Sequence, residues 1–203
     1  MTRTRYIALV VLVLVIATIV IAVVLYNYAS SATRPVIPPR ITKLNVTVVV
    51  LGPGKFAGVI AERLSGRVDK VIVYSGFNPE ILRYAGRSTV LVLSDEWLAE
   101  NAGREEVKEM IMLFADRGSM IYVNGTKAGV FQKMVYWMEY ERGVESGMPP
   151  EALQELRERI ESIPEESRAG IGYMKLSEKH DIFVFGSLED ALNTFSATSP
   201  AAV

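Results

Sequence analysis

"VVVLGPGKFAGVIAERL", Val48 to Leu64, decides the fold. Val48 to Leu51 is an unbroken apolar run that ends in Gly52, and a helix candidate follows from Phe56 to Leu64. A strand buried on both faces of a parallel sheet reads as a continuous β-branched run, not as an alternation. Three further stretches read the same way: Lys70 to Gly76, Ser88 to Asp95 and Ser119 to Gly125. The first of the four extends from Asn45 to Gly52. Helix candidates follow the other three at Pro79 to Tyr84, Arg104 to Arg117 and Lys127 to Arg142. Within Arg104 to Arg117, Val107, Ile111 and Phe114 share one apolar face, and Gly118 suits a C-cap.

Strand–helix alternation implies right-handed crossovers and a three-layer α/β sandwich with a mainly parallel sheet. Two more strands, Ile171 to Ser177 and Asp181 to Ser187, are separated by a segment too short for a crossover. They are expected to form a C-terminal antiparallel hairpin. A closing helix begins near Leu188. Met148 to Ser167 carries a helix opened by Pro149 and Pro150 and ended by Pro164. Its narrow apolar stripe of Leu153, Leu156 and Ile160 suits a solvated surface helix or a partner-binding one.

The N-terminus has a different character. Tyr6 to Tyr26 contains no charged residue, and a bilayer needs roughly 20 apolar residues for a helix to span it. Residues 1–28 therefore read as a short cytoplasmic tail and transmembrane anchor, with the lipid bilayer as partner. Arg3 and Arg5 precede the span, which favours the N-terminus inside and the domain outside. A cleaved signal peptide, with Ser30 to Ala32 as its cleavage site, is the rival to an uncleaved signal anchor. Residues 29–41 form a linker in which Pro35, Pro38 and Pro39 favour extended chain. The α/β domain then covers 42–195, and 196–203 is a polar tail.

Composition narrows the chemistry. The net charge of −1 gives no reason to expect nucleic acid as a partner. The chain has no cysteine, which removes disulfides, thiolate-held metals and thiol nucleophiles together. His180 is the only histidine, so a multi-histidine metal site is excluded and no metal is assigned. His180 itself reads as an exposed turn residue beside Asp181. No G-x-S-x-G elbow is present.

Gly52, Gly54 and Ala57 match G-x-G-x-x-G/A between a strand and a helix, and here the chain resembles the opening unit of Rossmann dinucleotide enzymes. The resemblance implies a phosphate cradle at Gly52, Gly54 and Lys55, with Ser75 at the end of the next strand. The acidic residue that would read a ribose is replaced there by Ser75 and Gly76, and Pro53 removes one amide from the turn. The turn is therefore expected to serve the fold, and no cofactor is assigned. Val90 to Gly125 resembles a unit of membrane-associated glutamine-amidotransferase-like domains, in which a strand ends in a polar turn, a helix follows and "RG" leads into the next strand. Active members of that family use a cysteine nucleophile with histidine. Without cysteine, the resemblance implies a non-catalytic relative.

Ligands in such sheets bind beyond the carboxyl ends of the strands, where Ser94, Asp95 and Asn124 would face them. Asp95 can act as a base, hold a cation or cap the helix that begins near Trp97. Phe131 to Gly143 gathers Met134, Tyr136, Trp137, Met138 and Tyr140, which suits either a partner surface or packing against the sheet. Asn45 and Asn124 stand in glycosylation sequons, Asn124 in the more accessible setting. Two functions follow. One is a membrane-anchored protein whose extracytoplasmic domain acts in binding or assembly with a membrane or surface protein, without catalysis. The alternative is a nucleotide-binding enzyme or sensor that uses the Gly52 to Gly58 turn with the domain in the cytoplasm.

Overall fold

Val48, Val49, Val50 and Leu51 carry no polar side for solvent, and all four are fully buried in strand β1 (Leu44–Leu51). The computed structural model describes residues 43–167, 169–176 and 179–198, with Asn124 described by its backbone alone. The expected span at Tyr6 to Tyr26, the 29–41 linker and residues 199–203 lie outside the described residues. Among those described, no helix is long and apolar enough to cross a membrane.

β1 lies between β2 (Val68–Tyr74) and β3 (Thr89–Ser94), parallel to both. β4 (Met120–Asn124) continues the parallel set beside β3. β5 (Gly170–Leu176) then pairs antiparallel with β4, and β6 (Lys179–Phe185) antiparallel with β5. The order is β2-β1-β3-β4-β5-β6. The α/β class and the C-terminal hairpin agree with the sequence reading. The mainly parallel sheet does not, because two of its five pairings are antiparallel and the sheet is mixed.

The cause lies between β4 and β5. Helix α4 (Ala128–Glu145) leaves the end of β4, and α5 (Pro150–Ser162) comes back along it. Gly129, near the start of α4, abuts the Pro164 carbonyl beyond the end of α5. Gly143, near the end of α4, abuts Leu153 near the start of α5. Two antiparallel helices return the chain to the end of the sheet it left, so β5 must enter running the opposite way.

Alternate strand residues supply two cores. Val46, Val48, Val50, Val90, Val92 and Tyr122 pack beneath α1 (Gly54–Leu64) and α6 (Leu188–Thr198). Val49, Leu51, Leu91, Leu93, Ile121 and Val123 pack beneath α2 (Asp95–Asn101), α3 (Glu105–Asp116) and α4. Helices on both faces make the expected three layers. Val107, Ile111 and Phe114 of α3 are fully buried, as their spacing requires. Gly118 (φ 81°) ends that helix, its N–H donating to Ala115 O and the Ser119 N–H to Phe114 O. Pro79–Tyr84 is a 3₁₀ turn in which the Asn78 side chain accepts from the Glu80 N–H at 2.9 Å. α5 is mostly solvated, and of its residues only Ile160 is buried.

Candidate functional site

The chain leaves β1 toward β2 on one side and leaves β3 toward β4 on the other. The crevice of an open α/β sheet forms at such a reversal, beyond the carboxyl ends of the strands. Here Gly52 and Ser94 meet. Gly52 is buried, and its N–H donates to Tyr74 O at 3.1 Å. A Cβ at Gly52 would lie 2.6 Å from Ser94 Cβ and 3.0 Å from Phe56 Cδ1. The first glycine of the motif is thus the one that lets the two strand ends touch. Gly54 and Gly58 differ: an added Cβ would meet nothing within 4 Å at either. No close packing depends on Gly58, which lies on the exposed side of α1.

Gly54 and Lys55 are exposed in the first turn of α1. Pro53 stands at the N-cap, no side chain caps the helix, and its first turn carries no acidic residue. Ser75 is exposed just past β2, on the far side of β1. The turn therefore presents an open helix terminus, which attracts anions generally.

Asp95 does not cap the helix that follows β3. Ser94, not Asp95, is the N-cap of α2, its Oγ accepting from the Trp97 N–H at 3.5 Å. Serine and aspartate both cap well, so the sequence alone could not choose between neighbours. Asp95 is the first helical residue and is 9 % exposed. Its Oδ2 accepts from the Lys127 N–H at 2.9 Å. Gly125 (φ 138°) runs so close that a Cβ there would overlap the Asp95 carboxylate. A buried carboxylate needs such a donor. Asp95 thereby ties the loop after β4 to the end of β3, where Ser94 is in register with Asn124. Asn45 is exposed on β1, and Asn124 is the last residue of β4. Among the described residues, no group of three or more histidines or carboxylates is arranged to hold a metal.

Two features escape the sequence. His180 is not an exposed turn residue, because β6 begins at Lys179 and carries it onto the sheet. Its ring stacks on Tyr173 at 5.4 Å, and Nε2 lies 3.1 Å from Asp116 Oδ1. Tyr173 Oη donates to Glu139 Oε1 at 3.3 Å, while burial and then the nearby Glu139 charge push its phenol upward. Extending the β6 alternation back by two residues would have placed His180 on the same face as Ile182.

The other feature is a groove of about 300 Å³ beside α4. Ala102, Gly103, Lys108, Met134, Trp137 and Glu141 line it. The Phe131 to Gly143 cluster divides between buried and exposed side chains. Phe131, Met134 and Met138 are buried against the sheet, whereas Trp137 is 40 % exposed. No family model, curated protein or solved structure matches the chain.

Proposed function

We propose that the chain is a single-pass membrane-anchored protein whose α/β domain lies outside the cytoplasm and serves binding or assembly without catalysis. The observation that carries this reading is how the strand ends are used. Gly52 is filled by Ser94, and the Asp95 carboxylate is held by the Lys127 amide. Groups that would meet a substrate there are holding the fold. The anchor rests on the uncharged run from Tyr6 to Tyr26. The partner is a membrane or surface protein, and the cysteine-free resemblance to amidotransferase-like domains points the same way. A reporter active only in the cytoplasm, fused after Val203, should stay dark; a bright signal would reverse the topology.

One observation favours the alternative, a cytoplasmic nucleotide-binding domain. The first turn of α1 is open, and Gly54 is free of steric demand from the fold. Calorimetric titration of NAD, NADP, FAD and ATP separates the readings. Each tenfold in affinity needs about 1.4 kcal/mol, and an open helix terminus without a ribose-reading carboxylate supplies little of it. Micromolar binding that disappears in Gly54→Val, with the fold intact, would establish the alternative.

A further inference from the structure

Helix α4 is apolar on more faces than its own domain covers. Phe131, Met134, Val135 and Met138 face the sheet core. Tyr136 lies toward α5, under the Arg159 guanidinium at 4.9 Å. A third face remains: Val130, Lys133, Trp137, Tyr140 and Val144, spaced three, four, three and four residues apart. That spacing makes a continuous seam on one side of a helix. Trp137 is 40 % exposed and Val144 52 %. The Trp137 and Tyr140 rings brace each other edge to face at 5.4 Å. Their apolar area is therefore presented with little rotamer freedom to lose on binding.

The seam is also symmetric about Trp137. Lys133 and Glu141 each lie four residues from it, and Val130 and Val144 seven. Running the helix antiparallel to a copy of itself, with the two-fold axis at Trp137, sets Lys133 of one chain against Glu141 of the other. It also sets valine against valine. An isologous interface demands this self-complementarity, whereas a different partner does not. Beside the seam, the groove lined by Ala102, Gly103 and Met134 offers a seat for the indole of the second copy. Within one chain, Lys133 reaches Glu165 and Glu141 reaches Lys108, both at 3.5 Å, with the carboxylates exposed and the lysines partly covered. Such surface pairs are weak and can share a new partner.

We infer that the exposed face of α4 is a homodimer interface, formed by antiparallel pairing of α4 with α4 of a second copy. The inference deepens the assembly reading and rests on it for local concentration. One helix pair falls at the small end of stable interfaces, and tethering to a common bilayer raises the effective concentration.

The natural absence of cysteine makes the test direct. Full-length Lys133→Cys and Glu141→Cys chains with different tags are co-expressed and oxidised in membranes. In the antiparallel dimer, positions 133 and 141 lie level, while 133 and its copy are about 12 Å apart along the axis, beyond disulfide reach. Mixed 133–141 cross-links should exceed 133–133 and 141–141 products at least fivefold. In detergent, sedimentation should show Lys133→Glu weakening the dimer about tenfold or more, with Glu141→Lys in the same chain restoring it. Equal cross-linking in all combinations, dominant 133–133 products or an unaffected Lys133→Glu dimer overturns the inference. A failed cross-link with a dark reporter would leave the anchored assembly reading standing without this partner. A bright reporter would remove that reading and leave the cross-link result untouched.

Discussion

Replacing Gly52 by alanine places a methyl group 2.6 Å from Ser94 Cβ and 3.0 Å from Phe56 Cδ1. The phenylalanine ring is the end of a movable side chain and can turn away. Ser94 Cβ cannot, because it is fixed to the last residue of β3, which pairs with β4. The carboxyl ends of β1 and β3 must therefore separate, although Val50 with Val92 and Leu51 with Leu93 are in register there. Overpacking of this kind costs about 1–3 kcal/mol. A loss of about 2 kcal/mol lowers Tm by about 4–8 °C in a domain of this size. Gly54→Ala is the matched control. Its methyl group meets nothing within 4 Å, and alanine is the better helix former, so it should gain up to about 1 kcal/mol. Urea unfolding of the detergent-solubilised chain, followed by tryptophan fluorescence, reports both, since Trp97 is buried in the core. If Gly54→Ala costs as much as Gly52→Ala, the claim that the turn serves the fold through Gly52 alone is wrong.

Asp95→Ala removes the acceptor of the Lys127 amide and should cost about 1–3 kcal/mol in the same urea experiment. Tyr122 Oη has no hydrogen-bond partner among the described residues, so Tyr122→Phe should be neutral or slightly stabilising. Burial pushes the Tyr122 phenol up to about 12. A folded value above the unfolded one contributes stability below about pH 10 that is lost as pH rises toward 12, and Tyr122→Phe should remove that alkaline loss. Glu189 accepts from Arg63 at 2.5 and 2.6 Å and from Arg67 at 3.2 Å. Burial raises its carboxyl, but these donors and its own backbone N–H outweigh burial and hold it below the usual glutamate range. Its contribution is present above the unfolded value and is lost as pH falls through the folded one. Glu189→Gln should flatten the acid side of the stability profile, by about 1 kcal/mol or less because Arg63 is half-exposed.

The parallel strands were legible because strands buried on both faces leave no polar positions, as at Val48 to Leu51 and Val90 to Leu93. The direction of β5 was not legible. It depends on α5 packing back along α4, a relation between two helices that neither periodicity records. His180 was misplaced because Lys179 and His180 read as a polar turn until the stacking on Tyr173 is known. The glycine motif shows the limit most clearly. Gly52, Gly54 and Gly58 are equivalent as letters, and only the neighbouring strand reveals that Gly52 alone has something to avoid.

The position of β4 has a consequence for synthesis. Met120 to Val123 are fully buried, and one edge of this strand is covered only by β5, which begins at Gly170. On the ribosome, β1 to β4 and their helices emerge before that cover exists. Completing 170–198 at about 5–20 residues per second takes roughly 1.5–6 s. Through that interval the nascent domain carries an apolar strand with unpaired backbone groups, a template for pairing with another chain. A protein stopped after α5 should therefore aggregate where the full chain does not, and the hairpin that closes the sheet doubles as its protection against self-association during translation.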